Sequence, residues 1–455
     1  MSAQQRFIDI SKIDDHYFAD KSGKTWIPIG CNLCFFRDSE QYPEETILAT
    51  YEEWLTCFAA AGGNFVRIWL GVPFFDVMPR KAGEYDAKIT NRIRCLIALC
   101  EKLGIKIKFT FEHFRKIVSA TQEAESFQGV VRFDKPIYRD LATSMSEYFA
   151  SGKCREIYLD RARWFAGQGF GDSPAVIAWE LWNEINCTAP MNEVALWSDY
   201  MIAELQKIFP KQMIVQNLGS FSGPGAYQLY DYLSQVRDNG FLQAHRYLDP
   251  GAEIEVCTGP MDILCSDVIR ELRERNGNIP VILAETGAVE ACHRCYSHLY
   301  EKDIEGTLLH DGIFAPFFSG SAGCGQFWHW DHLYIHKHRL WYHFARFAEA
   351  VKGLDPAAEH FKPFHTSTKR TRVYGLIGEK TIIFWVRDKA SSWQSELEEG
   401  KPAETISGES LTVYGNDQVC DCYLPWENRH ESVRQKNGIC EFPDFKRSLV
   451  VRFTR

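Results

Sequence analysis

Residues 175–184 read AVIAWELWNE, a run of apolar residues that ends in a carboxylate. A second stretch of this kind, PVILAETG, occupies residues 280–287 and carries Glu285 near its end. Near-continuous apolar runs of this length are typical of strands buried on both faces, as in parallel sheets covered by helices. The sequence around these two stretches therefore points to an α/β architecture.

Six further apolar runs lie between residues 26 and 330, and amphipathic helical stretches with Gly or Pro stops separate them. We predict eight strands, at 26–32, 64–70, 105–111, 175–182, 213–217, 240–245, 280–285 and 323–330. Eight strand–helix units over about 320 residues predict a (β/α)8 TIM barrel. A doubly wound open sheet is the alternative, but the sequence lacks the G-x-G-x-x-G loop that usually follows its first strand.

Beyond residue 353 the helical pattern gives way to short alternating strands with turns between them. These strands are predicted at 371–374, 381–386, 410–414, 418–424 and 448–453. We predict a catalytic barrel at residues 1–355 and a small all-β sandwich domain at residues 356–455. Trp385, Trp393 and Trp426 of the second domain are candidates for carbohydrate binding, although packing against the barrel is the favoured interpretation.

The chemistry of a barrel lies at the carboxyl ends of its strands, where Glu184 and Glu285 are expected to meet. The irregular connection at residues 115–140 is expected on the same face, where it can cap the cleft. Two carboxylates at one barrel mouth suit glycoside hydrolysis. One of them must hold a proton for the leaving oxygen, while the other stays ionised and attacks the anomeric carbon.

At these residues the sequence resembles the clan A retaining glycoside hydrolases, and most of all family 5, the cellulase and mannanase-like group. The resemblance is carried by Trp182-Asn183-Glu184, Ala284-Glu285, Asn64-Phe65-Val66-Arg67-Ile68, His113, His245-Arg246-Tyr247 and Trp328. It implies that Glu184 is the acid/base and Glu285 the nucleophile. One departure is Ile185, which stands where many family members have Pro, and it should change the loop but not the chemistry.

Three residues are expected to support the carboxylates. Arg67 carries a fork of donors that can clamp a carboxylate, and we expect it to contact Glu285; a purely structural pair with Glu180 is the alternative. Tyr247 can donate a hydrogen bond to Glu285. His245 can orient either carboxylate or the sugar, or be a satisfied structural histidine.

Four residues are expected to contact the sugar. Asn183 can hydrogen-bond a 2-hydroxyl, a contact that strengthens in the transition state. His113 closes the third strand and would reach the nonreducing side of the bound sugar. Trp328 can form an apolar platform under it, and Trp330 can belong to a collar around the terminal sugar, with core packing as the alternative for both indoles.

Composition excludes several other classes. The net charge is −9 and no basic run is present, so nucleic acid is not an expected partner. No stretch approaches the ~20 apolar residues of a membrane span, and no apolar leader is visible. The 15 Cys are scattered, and the C-x-x-C spacing of Cys292 and Cys295 does not by itself make a zinc site, which favours reduced thiols over a disulfide framework or a metal site. We expect a cytoplasmic protein without cofactor or metal (secreted if the chain was trimmed); the oligomeric state stays open.

The sequence thus predicts a retaining β-glycosidase that acts on an oligosaccharide or glycoside. A β-mannoside or β-glucoside cleaved in an exo fashion is the expected substrate, with an endo-acting glucanase or mannanase as the alternative. A non-catalytic carbohydrate-binding barrel would keep the tryptophans without needing both carboxylates. A metal-dependent barrel hydrolase would need clustered His and Asp ligands, whereas the His residues here are spread singly.

Overall fold

The structure, a computed structural model, describes residues 7–113, 117, 125–127, 130–132, 136–138, 140–275, 278–413 and 417–454. Its centre is a ring of eight parallel strands. In chain order they are Gly30–Asn32, Phe65–Trp69, Lys106–Glu112, Val176–Trp182, Met213–Val215, Leu242–His245, Val281–Glu285 and 322–328. The predicted (β/α)8 barrel is confirmed.

The ring closes through short seams. The eighth strand pairs with the first between Phe327 and Cys31, and with the seventh between Phe327 and Thr286. Between the fifth and sixth strands, the Gly240 N–H donates to the Ile214 carbonyl at 3.0 Å. Because the ring is closed and parallel, the carboxyl ends of all eight strands meet at one mouth.

One major helix follows each strand and covers the outside of the ring. In chain order these helices are Glu44–Ala60, Ala87–Leu103, Gly152–Gly167, Met191–Ile208, Ala226–Ser234, Met261–Arg275, Thr307–Phe318 and Tyr342–Ala350. The second shows how the sequence sets the ends: the Asp86 side chain accepts the N–H groups of Lys88 and Ile89, and Gly104 stops the helix in a left-handed conformation, φ 74°. Its buried stripe then packs on the barrel strands.

A small antiparallel sheet that the sequence reading missed precedes the barrel, with strands Ile8–Ile10, Phe18–Asp20 and Thr25–Trp26. Phe18 packs edge-on against Phe241, which precedes the sixth strand, at a centroid distance of 5.5 Å. The sheet therefore covers the amino-terminal end of the barrel, away from the mouth. The predicted capping segment at 115–140 lies largely outside the described residues; within it, Glu125–Phe127 and Val130–Arg132 pair antiparallel.

The carboxyl-terminal region is all β. Eight strands form one antiparallel sheet, in the spatial order Lys362–Ser367, Thr371–Ile377, Thr381–Asp388, Ser448–Thr454, Gln418–Leu424, Arg429–Lys436, Ile439–Glu441 and Ser410–Thr412. A two-stranded ribbon, Thr405–Ile406 with Phe445–Lys446, accompanies this sheet. One face of the sheet builds its own apolar core and the other packs on the barrel. The sandwich arrangement and the boundary at 355/356 stay predictions.

The three tryptophans of this region face the barrel. Trp385 is fully buried, and its ring and that of Trp426 lie 6.0 and 4.7 Å from the His310 ring of the seventh helix. The Trp393 indole N–H donates to the Gly259 carbonyl at 2.9 Å. These contacts favour packing over carbohydrate binding for all three side chains.

The structure also bears on the expectations about membrane spans and cysteines. Within the described ranges, no helix combines the length and the apolar character that crossing a membrane would require. All fifteen cysteines fall in the described residues, and each is a free thiol.

Candidate active site

Glu184 is the second residue after the fourth strand and has a left-handed conformation, φ 54° and ψ 49°. Non-glycine residues adopt this conformation rarely, and it is often found where a side chain must be aimed. The backbone N–H of Glu184 donates to Asn217 Oδ1 at 2.8 Å, which ties the turn to the loop after the fifth strand. The carboxyl group is thereby fixed at the barrel mouth.

Glu285 ends the seventh strand and is almost fully buried. Its Oε1 accepts a hydrogen bond from Nη1 of Arg67, on the second strand. Its Oε2 accepts the Tyr247 hydroxyl at 2.6 Å. Both oxygens are therefore held by donors from other strands, which orients the carboxylate.

The two carboxyl groups lie close together. One oxygen of Glu184, one oxygen of Glu285 and one ring nitrogen of His245 all lie within 4.8 Å of one another. Retaining glycosidases place their carboxyl groups about 5–5.5 Å apart, whereas inverting enzymes need about 6.5–9.5 Å to admit a water. The spacing fits the retaining geometry.

His245 bridges the pair. Its Nδ1 lies 2.9 Å from Glu184 Oε1 and 3.3 Å from Glu285 Oε2. Burial, together with the positive charges of Arg67 and Lys108, lowers the pKa of His245 well below its ordinary value. The imidazole is therefore neutral, and its Nδ1–H donates toward the carboxylates.

Glu184, His245 and Glu285 are also ligand types that can hold a divalent cation. However, Arg67 and Tyr247 already donate to the two oxygens of Glu285. A cation would have to compete with a guanidinium whose charge is permanent. The donor set therefore suits a pair of reacting carboxylates better than a metal centre.

Arg67 contacts more than its predicted partner. Besides Glu285, it binds Glu180 through Nε at 3.0 Å and through Nη2. Nη2 also donates to Asn183 Oδ1 at 2.6 Å. The two alternatives for Arg67 are thus both realised, because one planar fork reaches three acceptors at once.

Glu180 lies fully buried beneath the reacting pair. It accepts hydrogen bonds from the Thr110 hydroxyl at 2.9 Å and from Gln243 Nε2 at 2.9 Å, and Lys108 Nζ lies 2.8 Å away. Burial alone would raise the pKa of Glu180, but Arg67 and Lys108 lower it to about 2. Glu180 is therefore ionised at neutral pH and is the shared carboxylate partner of Arg67 and Lys108.

The protonation of Glu285 reflects two opposing influences. Burial raises its pKa above the ordinary glutamate value, while Arg67 and the Tyr247 hydroxyl act in the lowering direction. Repulsion by the anionic Glu285 predicts a raised pKa for Glu184. For Glu285 itself, burial outweighs the two donors, so the direction of its pKa shift is upward.

An aromatic wall stands on the other side of the carboxylates, formed by Phe35, Trp69, Trp328 and Trp330. The Trp328 ring lies 5.8 Å from Phe35, 5.5 Å from Trp69 and 5.2 Å from Trp330. His113 stacks on Trp69 at 5.4 Å with an interplanar angle of 19°. The predicted sugar platform, Trp328, is thus built into a wall of rings.

Trp330 lies deeper than expected. It is 0% exposed, whereas Trp328 is 6% exposed, and its ring packs against Phe35 and Trp54 at 5.2 and 6.3 Å. The collar role assigned to Trp330 therefore lacks an accessible surface in this structure. His329, between the two indoles, has a left-handed backbone conformation, φ 62°, so the alternation that would place Trp328 and Trp330 on the same face of a strand does not continue.

Three residues of the candidate site were not predicted from the sequence: Asn217, Phe35 and Trp69. Asn217 closes the fifth strand in the same way that Asn183 and Glu184 close the fourth, so the polar residue after an apolar run was the available signal. Phe35 and Trp69 carry no such signal, because buried aromatic residues are common in any core.

A family model described as cellulase (glycosyl hydrolase family 5) matches residues 20–305. Mannan endo-1,4-beta-mannosidase 2 of rice, Oryza sativa subsp. japonica, is 19% identical over 284 residues, which cover 55% of this chain. The chain spans 60% of the length of that relative.

Solved structures agree on the fold. A family 5 mannosidase from Rhizomucor miehei matches with a TM-score of 0.51 and 15% identity, over 72% of this chain and 86% of the other. An endo-beta-1,4-mannanase from Thermotoga petrophila matches with a TM-score of 0.52 and 14% identity, over 93% and 92%. At such identities the likeness establishes the barrel fold.

Proposed function

The chain belongs to glycosyl hydrolase family 5, and from this premise we propose that it hydrolyses β-mannosides with retention of the anomeric configuration. The observation that carries the proposal is the carboxyl pair, with an oxygen of Glu184 and an oxygen of Glu285 within 4.8 Å of each other. Arg67 and Tyr247 hold the second of these carboxylates in place.

In the proposed mechanism, Glu285 attacks the anomeric carbon while Glu184 protonates the departing oxygen. The bond to the leaving group breaks and a glycosyl ester forms on Glu285. Glu184, now ionised, takes a proton from water, and the resulting hydroxide displaces Glu285 from the anomeric carbon. The sugar leaves with its configuration kept, because two inversions have occurred.

The surrounding groups serve these steps in turn. Arg67 and Tyr247 stabilise the carboxylate that must attack, and His245 donates toward whichever carboxylate is ionised. Asn183, whose Oδ1 is fixed by Arg67, is left with its amide N–H groups for the sugar 2-hydroxyl. Each side chain that contacts the two carboxylates or Arg67 in this way therefore has a role in the proposed mechanism.

Mannose as the reacting sugar is supported by the names of the relatives, which are mannosidases and mannanases from a plant, a fungus and a bacterium. We propose exo action on oligosaccharides. The aromatic wall supports this mode, because its four rings are 6% exposed or less and leave little surface for further sugars on that side. Endo action is the second candidate, favoured by the name of the rice relative, a mannan endo-1,4-beta-mannosidase.

The experiment is hydrolysis of 4-nitrophenyl β-mannoside, 4-nitrophenyl β-glucoside and reduced β-1,4-mannohexaose by the purified protein, with proton NMR of the first product. We expect release from the β-mannoside, initial formation of the β-anomer, and stepwise shortening of the hexaose from its nonreducing end. Formation of the α-anomer first would contradict the retaining mechanism. Internal cleavage of the hexaose would favour the endo candidate.

The Glu285→Gln variant is the control for every substrate. It keeps the size of the side chain but removes the nucleophile, so turnover should fall by about 10⁴-fold or more. Full activity in this variant would refute the assignment. Binding of mannohexaose without turnover by the unmodified protein would instead indicate a non-catalytic carbohydrate-binding barrel.

A further inference from the structure

Beside the reacting pair, three polar side chains from the loops after the fifth, sixth and seventh strands form a chain of contacts. Asp249 Oδ2 lies 3.0 Å from His293 Nδ1, and His293 Nε2 lies 3.3 Å from the Ser220 hydroxyl. The mechanism above uses none of the three. We call this set the Ser220–His293–Asp249 cluster.

Asp249 anchors the cluster from below. It is 3% exposed, and its Oδ1 accepts the backbone N–H groups of Gly251 at 2.8 Å and Cys292 at 3.0 Å. Burial would raise the pKa of Asp249, but His293 and these N–H groups lower it. Asp249 accepts the Nδ1–H of His293, which fixes the ring and directs its Nε2 toward the Ser220 hydroxyl.

The backbone that positions His293 is strained. Cys292 and His293 both adopt the left-handed conformation, with φ 61° and 57°, although neither is glycine. Non-glycine residues in this conformation are strained, and they concentrate at active sites and ligand-binding sites. A side chain at Gly251 would lie 2.6 Å from the Cys292 nitrogen, so only glycine admits the loop this close.

The cluster lies next to the nucleophile. The His293 ring stands edge-on to the Tyr247 ring at 4.8 Å, and the Tyr247 hydroxyl donates to Glu285. The His293 side chain is 27% exposed, in contrast to the buried rings of the aromatic wall. His293 is therefore partly open to solvent and contacts a residue that itself contacts Glu285.

The position of the proton donor decides which sugar would meet this edge. The leaving oxygen must lie beside Glu184, whose N–H is held by Asn217 on the same loop as Ser220. The aromatic wall belongs to the first, second and eighth strands, on the opposite side of the barrel mouth. The departing sugar thus extends over the loops that carry the cluster.

We propose that His293, oriented by Asp249 and Ser220, binds a hydroxyl group of the sugar that departs when the glycosidic bond breaks. This inference rests on the proposed function and adds the residue that recognises the leaving group. A sugar hydroxyl donates to Nε2 in place of, or beside, the Ser220 hydroxyl, whose contact of 3.3 Å is long for an O–H···N bond.

The test compares two substrates that share the reacting sugar but differ in the leaving group, which is a mannose unit in β-1,4-mannobiose and 4-nitrophenol in 4-nitrophenyl β-mannoside. The variant is His293→Asn, because Asn tolerates the left-handed conformation but is too short to reach. We expect kcat/KM on mannobiose to fall about tenfold, as for one lost hydrogen bond, and to change less than twofold on the aryl mannoside.

Two controls sharpen the result. Cys295→Ala changes an exposed side chain of the same loop and should leave both substrates unaffected. Asp249→Asn removes the acceptor charge behind His293 and should reproduce the selective loss in weaker form. Equal losses of both substrates in His293→Asn, or no loss on mannobiose, would overturn the inference.

Failure of the proposed function gives a different result. If the unmodified protein cleaves neither mannoside, the same comparison is made with β-1,4-glucobiose (cellobiose) and 4-nitrophenyl β-glucoside, and the inference is judged on that pair. The cluster also has the residue types of an acyl-transfer triad. Hydrolysis of 4-nitrophenyl acetate that is lost in Ser220→Ala would assign the cluster to ester chemistry and overturn its role in sugar binding.

Discussion

Two parts of the cleft are built on opposite principles. The charged floor, which comprises Arg67, Lys108, Glu180 and Glu285, consists of buried ions that each contact a specific partner. The aromatic wall of Phe35, Trp69, Trp328 and Trp330 consists of rings held by packing at 5.2–5.8 Å.

This difference predicts how stability and activity respond to substitutions in each part. Removing one ion leaves its partners buried and uncompensated, which is costly because the interior cannot replace water around a charge. Removing one ring loses area and packing, and its neighbours relax in part. We therefore expect a single substitution in the charged floor to cause a large loss of stability and activity. A single substitution in the aromatic wall should cause a smaller loss.

The largest effect is expected at the centre of the floor. In Arg67→Met, Glu180 and Glu285 lose their shared cation, so the free energy of unfolding should fall by about 3–5 kcal/mol. The kcat should fall at least about a hundredfold, since the nucleophile loses both its charge partner and its orientation. Urea unfolding and steady-state kinetics measure the two quantities.

Arg163→Met is the matched control for that prediction. Arg163 also pairs with two carboxylates, Glu156 and Asp160, but these side chains are about half exposed. The expected loss of stability is about 1 kcal/mol or less, with no change in kcat. Similar losses in the two variants would remove the distinction between a buried ionic floor and ordinary surface pairs.

A smaller effect is expected in the wall, and it should divide two neighbouring rings. Trp328→Ala should lower kcat/KM about tenfold, because a sugar face loses its stacking surface. Trp330→Phe should lower the free energy of unfolding by about 1–2 kcal/mol with kcat/KM nearly unchanged, since that ring is fully buried. Equal losses of kcat/KM would mean that the wall acts as one binding unit.

The smallest effect is expected on the pH dependence of kcat/KM and concerns Glu285 of the charged floor. Glu285 must be ionised to attack, and the Tyr247 hydroxyl stabilises the ionised form. Tyr247→Phe removes this donor, so the pKa of Glu285 rises and activity is lost at a higher pH on the acid side. The acid limb of kcat/KM should move upward by about 0.5–1 pH unit.

Tyr158→Phe serves as the control for this shift. Tyr158 is equally buried, but its hydroxyl donates to the Leu181 carbonyl at 2.6 Å instead of a carboxylate. The acid limb of kcat/KM in Tyr158→Phe should coincide with that of the unmodified protein. A downward shift in Tyr247→Phe would show that the hydroxyl favours the protonated form of Glu285.

Local pattern was sufficient for the barrel and for the placement of Glu184 and Glu285 at one mouth of it. Strands buried on both faces must be apolar along their length, so the polar residue that ends each run marks the mouth of a parallel ring. Glu184 and Glu285 follow from this rule together with the family resemblance. The carboxyl-terminal strand Arg429–Lys436 escaped prediction because its sequence, RHESVRQK, is polar on nearly every position.

What the sequence by itself determined is the set of strands and the two carboxylates at their ends, because strand burial and side-chain alternation are local properties. Only the tertiary structure decided the partners. Arg67 reaches Glu180 and Glu285 across 113 and 218 positions of the chain, and His293 meets Asp249 across 44. Contacts of that separation depend on how the ring closes and how loops bend. The same holds for Trp328 and Trp330, two residues apart, of which one lies at the cleft and the other in the core.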